Sequence, residues 1–234
     1  MSLFAAARTD EECWQLTGNG RDSSPHAVPA SAGCDPLSAP SQVGGAAGSA
    51  AESFASAVIE AVLFDARQIQ AKLGEIGAAV SRDYDGLDPV LVAVLRGGAM
   101  VMADLLRAIT IPVIVDFIAI SSYGPASRQS GVVRFLKDLD VSIAGRHVLV
   151  VEDIVDTGLT LNYVLKSLRS RRPASLEVGA LFDKPGRRLA NVRLRYRGFE
   201  LPDEFVVGFG LDYDEKYRNL PFVCVLKPGV YGGR

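Results

Sequence analysis

Three cysteines in 234 residues, Cys13, Cys34 and Cys224, are too few, too widely spaced and odd in number for a disulfide scaffold or a zinc knuckle. Such usage fits a reducing compartment, and the expected location is the cytoplasm. The two histidines, His26 and His147, stand alone, so a protein metal site built on them is not expected. Charge of one sign is also missing: 25 Lys and Arg face 27 Asp and Glu, which gives no field to favour nucleic acid or anionic lipid as the main partner. Apolar runs such as Val90 to Leu95 fall far short of the roughly 18 residues of a spanning helix, so no membrane crossing is expected. The apolar stretch Leu3 to Ala7 has no basic region before it and Asp10, Glu11 and Glu12 just after it, which argues against a secretory signal. The chain has neither a Gly-x-x-x-x-Gly-Lys-Ser/Thr loop nor a Gly-x-Gly-x-x-Gly turn after a strand.

A hydrophobic share of 48% and a charged share of 22% describe a globular chain long enough for a sizeable core, with one domain as the default. From Gly18 to Ala51, 24 of 34 residues are Ala, Gly, Ser or Pro, which leaves almost nothing large to bury; residues 1–53 are therefore read as a disordered extension. The folded unit is expected over residues 54–234.

Ala57 to Phe64 reads as a short strand, and Ile69, Leu73, Ile76 and Val80 recur at helical spacing after it. Val90 to Leu95 reads as a strand buried on both faces, running through Arg96-Gly97-Gly98 into a helix that ends near Ile109. A second apolar run, Val113 to Ile120, ends at Ser121-Ser122-Tyr123-Gly124-Pro125, where a long flexible loop to about Gly131 is expected. Val148 to Val151 is a further strand, capped by an acidic loop and a helix carrying Leu161, Val164, Leu165 and Leu168; Leu176 to Phe182 supplies another. This alternation predicts an α/β fold with a mostly parallel central sheet.

Ligands of open parallel sheets bind beyond the carboxyl ends of the strands, which singles out Glu152-Asp153-Ile154-Val155-Asp156-Thr157-Gly158-Leu159-Thr160. Three carboxylates within five residues repel one another and gain nothing for the fold unless something cationic or rich in hydroxyls meets them. The small and hydroxyl-bearing residues 156–160 stand where a helix begins, so backbone N–H groups, hydroxyls and the positive helix pole can surround a phosphate. A ribose 5-phosphate has this layout, its diol toward Glu152 and Asp153 and its phosphate in the turn. Taken alone, Asp156-Thr157-Gly158 reads equally well as a helix cap.

The run from Val150 to Thr160 resembles the signature of the type I phosphoribosyltransferases, a hydrophobic strand, two acidic residues and an Asp-Thr-Gly-x-Thr phosphate loop. Leu95-Arg96-Gly97-Gly98, Ser122-Tyr123-Gly124, Lys184 and the segment from Pro202 through Phe205-Val206-Val207-Gly208 and Leu211-Asp212-Tyr213 to Arg218 are similar to its hypoxanthine-guanine branch. The likeness covers about residues 57–227, in order. It implies a parallel-sheet core over about 85–190, a small hood from about 55–84 and 195–234, and transfer of 5-phosphoribosyl from phosphoribosyl pyrophosphate (PRPP) to N9 of hypoxanthine or guanine. The usual family assembly is a homodimer or homotetramer.

The resemblance also assigns roles. Glu152 and Asp153 would hold the ribose hydroxyls, partly through Mg2+, and Asp156, Thr157, Gly158, Leu159 and Thr160 the 5′-phosphate. Asp156 would also act as general base or acid at purine N7. Arg96 and Gly97 would meet the pyrophosphate through their backbone, with a cis peptide between Leu95 and Arg96, while Arg218 would grip its oxygens and Ser122 and Tyr123 would close over it as a lid. Lys184 would donate to the purine O6, Phe205 would stack on the base, the Val206 backbone would read its edge, and Asp212, beside the purine, would bind a second Mg2+. Two positions depart from the common family pattern: Arg96 where many members have Lys, and Leu159 in place of Lys. Two alternatives stand beside this reading, a phosphoribosyltransferase-shaped regulator that binds nucleotides or RNA without turnover, and a phosphoribosyltransferase for another base.

Overall fold

The structure is a computed structural model and describes residues 58–122 and 133–231. The extension over residues 1–53, Tyr123 and the loop expected up to Gly131 lie outside the described residues.

The fold is organised around two adjacent parallel strands, β2 (Val90–Leu95) and β5 (His147–Val155), paired from Val90 with Val148 to Ala93 with Val151. Alternation along a strand sends successive side chains to opposite faces, and both faces here are apolar. Val90, Val92, Val148 and Val150 pack against Leu161, Val164, Leu165 and Leu168 of α3 (Leu159–Arg169). Leu91, Ala93, Leu149 and Val151 face the other way, toward Ile69, Leu73, Ile76 and Val80 of α1 (Ala66–Asp83) and Val101, Met102 and Leu105 of α2 (Gly98–Ala108). The near-continuous valine and leucine runs are therefore what a doubly covered parallel sheet requires.

The sheet has six strands in the order β4-β3-β2-β5-β6-β7, where β3 is Ile114–Ser122, β4 Val133–Lys137, β6 Ser175–Asp183 and β7 Tyr196–Glu200. All neighbours are parallel except β3 and β4. The chain moves from β2 outward to β3, and from β5 outward in the opposite direction to β6 and β7. The order therefore reverses between β2 and β5, and a crevice opens at their carboxyl ends. A second, antiparallel sheet has the order β1-β9-β8, with β1 at Ile59–Phe64, β8 at Val206–Val207 and β9 at Val223–Leu226; a short helix α4 (Pro228–Tyr231) follows.

Four expectations shift. The strand after Val113 runs on through Ser122, where its backbone pairs with Val133 of β4, an edge strand that periodicity had not indicated. The acidic residues Glu152 and Asp153 belong to β5 itself, not to a loop, because the ladder to β6 continues to Val155 opposite Asp183. The helix over 66–83 packs on the main sheet rather than in a hood, since its apolar stripe has the β2–β5 face to cover; its start is fixed by a capping box between Asp65 and Gln68. Finally, β7 extends the large sheet beside β6, so the smaller sheet is built from β1, β8 and β9.

The apolar run over β3 also contains a charge. Asp116 is 3% exposed, and its Oδ1 accepts from the Phe117 N–H at 2.7 Å while Oδ2 accepts from Asp140 and Val141 N–H at 2.7 and 3.0 Å. Burial alone would raise its pKa, but these backbone donors and the Lys137 ammonium at 3.3 Å outweigh it and hold the carboxyl below its usual range. The carboxylate thus ties the start of the β4–β5 connection to the sheet. Asp116→Asn is expected to destabilise the fold by about 2–3 kcal/mol at pH 7 in urea unfolding. Because the folded-state pKa lies below the unfolded one, this contribution is complete above about pH 4 and is lost as the pH falls through the folded value. The gap between wild type and variant should therefore close in acid; a gap constant down to pH 3 would show that the charge is not what stabilises.

Candidate active site

The crevice between β2 and β5 contains two adjoining cavities. The first, about 240 Å3, is lined by the Val94–Gly97 turn and by residues from Glu152 to Gly158, with Thr160 and Leu161. The second, about 390 Å3, is lined by Asp153, Ile154 and Asp156, by Lys184 and Arg187, and by Asp203 to Val206, Leu211, Asp212 and Arg218. Asp153, Ile154 and Asp156 line both. The carboxyl end of β5 is therefore the partition where the two spaces meet.

The turn after β2 approaches this partition closely. The Leu95–Arg96 peptide is cis, and a Cβ on Gly97 would sit 1.6 Å from Asp153 Oδ2. Only hydrogen fits there. Arg96 lines the first cavity, and its exposed side chain pairs with Glu215 Oε2 at 2.7 Å.

Glu152 and Asp153 are the most perturbed acids of the site. Burial, with a smaller contribution from the charge of Asp153, raises Glu152 well above the ordinary carboxyl value. Burial also pushes Asp153 up to about 6, against the pull of backbone N–H groups and the more distant Arg218 charge. Both carboxyls hold their protons more tightly than exposed ones, and a cation brought beside them would favour the ionised forms. Among the described residues no group of three or more His, Cys, Asp or Glu converges closely enough to hold a metal ion. Asp212, expected to bind a second Mg2+, lies 2.8 Å from Arg218 Nη2, whose charge it balances.

Asp156 begins the turn expected to hold the phosphate. Its Oδ1 lies 3.0 Å from Arg187 Nε as an ion pair whose geometry is not that of a hydrogen bond. Arg187 also reaches Asp203 Oδ1 at 3.1 Å, so it spans the second cavity between two carboxylates. Gly158 has φ +75°, a left-handed conformation in which a side chain would be strained, and α3 starts at the next residue. Thr157, Leu159 and Thr160 follow in the same turn, with the Thr157 hydroxyl accepting from Leu159 N–H at 3.4 Å.

On the opposite wall Lys184 is buried, and its Nζ donates to the Glu204 carbonyl. Burial lowers its pKa, although Asp156, Asp203 and Glu204 pull it back up. Phe205 is 42% exposed and stands edge-on to Tyr213 at 5.6 Å between ring centroids, while Val206 opens β8 with its backbone paired to Val225. Arg218 is held by Asp212, by Glu215 at 3.1 Å and by the Gly210 carbonyl at 2.7 Å. The fold thus brings together Arg96, Gly97, Glu152, Asp153, residues 156–160, Lys184, Phe205, Val206, Asp212 and Arg218. Ser122 ends β3 some way along the chain, and Tyr123 is outside the described residues. Sequence reasoning passed over Arg187 and Arg188; two adjacent arginines in a turn read as a solvated surface.

Residues 62–214 match the phosphoribosyl transferase domain family. A hypoxanthine-guanine phosphoribosyltransferase of Mycobacterium tuberculosis is 49% identical over 179 residues, covering 74% of this chain and 89% of its own. Crystal structures of a hypoxanthine phosphoribosyltransferase from Staphylococcus aureus (45% identity, TM-score 0.72, covering 74% of this chain and 94% of that one) and of the Trypanosoma cruzi enzyme with its product IMP (45% identity, TM-score 0.70, 74% and 97%) share the architecture. The chain belongs to the phosphoribosyltransferase family and has its type I fold. Within that family it groups with the hypoxanthine-guanine enzymes, which carry out purine salvage by phosphoribosyl transfer; this sets aside the regulator and the other-base readings.

The contact between Gly97 and Asp153 can be tested directly. Gly97→Ala must displace the Asp153 carboxylate, and a shift of about 1 Å at a reacting centre can cost roughly a hundredfold in rate. The expected result is such a loss of kcat/KM for PRPP with a melting temperature close to wild type; near-normal kinetics would mean that Asp153 has room to move without consequence.

Proposed function

We propose that the two cavities are the two halves of one active site, in which the chain transfers 5-phosphoribosyl from PRPP to N9 of hypoxanthine or guanine, giving IMP or GMP and pyrophosphate. The observation that carries this reading is their junction: a phosphate-sized turn on one side of Asp153 and Asp156, and a buried lysine with an exposed aromatic ring on the other.

The first cavity takes the phosphoribosyl group, with the 156–160 turn around the 5′-phosphate and Glu152 and Asp153 toward the ribose diol. The donor set there, two adjacent hard carboxylates, fits Mg2+, which prefers one or two carboxylates and otherwise substrate oxygens and water. When bound, Mg2+ offsets the charge that accumulates on pyrophosphate as the C1′ bond breaks. Arg218 turning to the pyrophosphate would release Asp212 for a second cation. The backbone at Arg96 and Gly97 borders the leaving group, and Ser122 and Tyr123 are assigned to a segment closing over it.

The second cavity takes the base. Lys184 donates to O6, Phe205 stacks on the ring, and the Val206 backbone reads the far edge. Asp156, at the partition, holds the proton at N7 and lets charge leave the purine as the N9 bond forms. A cytoplasmic homodimer or homotetramer is the assembly we assign, as is usual in the family.

Supplying PRPP and Mg2+ with each of hypoxanthine, guanine, xanthine, adenine and orotate should release pyrophosphate with the first two, and product from adenine or orotate alone would overturn the specificity. In the same panel, Lys184→Ala should lose oxopurine affinity and narrow the preference over adenine, since an unpaired buried group is what rejects the wrong base. Asp156→Asn keeps the shape and removes the proton acceptor, so kcat is expected to fall about a hundred- to ten-thousandfold with little change in melting temperature. Turnover within a factor of about three of wild type would exclude Asp156 as base.

A further inference from the structure

Arg188 lines neither cavity, yet it is bonded to the backbone that forms both. Its Nε donates to the Asp156 carbonyl at 3.1 Å and its Nη2 to the Val155 carbonyl at 3.2 Å, while Nη2 also meets the buried carboxylate of Asp183. The next carbonyl, that of Thr157, accepts from the N–H groups of Leu189 and Ala190 at 2.9 and 3.0 Å. Three consecutive carbonyls of the loop are thus tied to residues 188–190, that of Val155 also accepting from the Lys184 N–H at 3.0 Å.

A trans peptide is planar, so its C=O and the following N–H point in opposite directions. Fixing the carbonyls of Val155, Asp156 and Thr157 outward therefore turns the N–H groups of Asp156, Thr157 and Gly158 to the other side, where these same residues line the first cavity. Three successive N–H groups facing one space form an anion-binding concavity. The Arg188 side chain is only 17% exposed and that of Asp183 5%, and Arg188 Cδ lies against Gly158, 3.1 Å from where a Cβ would stand. The guanidinium fork is what matters: a lysine ammonium could satisfy Asp183 but not two carbonyls and a carboxylate in one plane.

We propose that Arg188 is a positioning residue of the 5′-phosphate site, holding the loop carbonyls away from the phosphate so that the loop amides face it. This rests on residues 156–160 being the phosphate site. Arg188 lines neither cavity, so its removal is expected to act most on ligands that carry the 5′-phosphate.

The test compares IMP with inosine, which differ in that phosphate alone, by calorimetric titration of the purified full chain. Arg188→Gln is expected to weaken IMP binding by about tenfold or more, the loss of one to two charge-assisted hydrogen bonds, with inosine binding unchanged. Arg188→Lys, which retains the counter-charge to Asp183, should fall between the two and carries the test if the glutamine variant does not fold. IMP affinity equal to wild type in the lysine variant, or IMP and inosine affinities that fall together, would overturn the proposal. Equal affinity of the wild-type chain for IMP and inosine would overturn the phosphate-site reading instead.

Discussion

The site depends on one backbone ladder, the pairing of β2 with β5 that ends at Ala93 and Val151. Up to that point the two strands are a sheet spacing apart, about 4.8 Å. Beyond it they part: β2 stays with β3 to Leu95 and then gives way to α2, while β5 continues along β6 to Val155. The separation opens the first cavity, and the short distance still left between Gly97 and Asp153 closes its floor. The apolar residues that bury both faces of these strands fix the register on which the carboxylates and the turn rely.

Charge at the crevice is balanced in ion pairs within the chain. Glu215 bridges Arg96 and Arg218, Asp212 neutralises Arg218, and Arg187 lies between Asp156 and Asp203. Most of these contacts are at least partly exposed, and such pairs contribute little to stability. They do order the long side chains of Arg187 and Arg218 on the wall of the second cavity, which would lower the ordering cost of the binding proposed there. Glu152 is different: it is buried among apolar strands with no cationic side chain bonded to it, so its ionised form is costly until a positive ion or a hydroxyl-rich ligand meets it.

The parts of the fold legible in the sequence are those where burial on both faces produces uninterrupted apolar runs, namely β2, the first half of β5 and β6, and the helices whose stripes cover them. The second half of β5 was hidden because Glu152 and Asp153 read as a loop; what keeps them in the strand is the backbone pairing to β6, which side-chain chemistry does not reveal. β4, an edge strand of mixed composition, and β7, with Arg197 and Gly198 in its middle, carry no period strong enough to mark them. The 156–160 turn stood out because its residue types have few structural uses in that order, and the structure puts it on the wall of the first cavity. Arg187 and Arg188 were not: what distinguishes them is the carbonyls and carboxylates they meet, supplied by residues 32 and 33 positions earlier in the chain for Arg188.

Lys184 shows how a cost to the fold becomes selectivity. A buried ammonium is destabilising, and the lowered pKa records the penalty of removing it from water. The fold meets that penalty with the Glu204 carbonyl and with Asp156, Asp203 and Glu204 nearby, all acceptors or anions on the wall of the second cavity. An ammonium has three donors and no acceptor, so at least one remains to be satisfied by whatever occupies the space. In the purine-binding role proposed for Lys184, a 6-oxo group would accept it, whereas a 6-amino group would present hydrogen toward hydrogen and leave both donors unpaired. On that proposed role, discrimination would arise from the penalty for the wrong base more than from the gain with the right one, and would depend on the burial of the lysine.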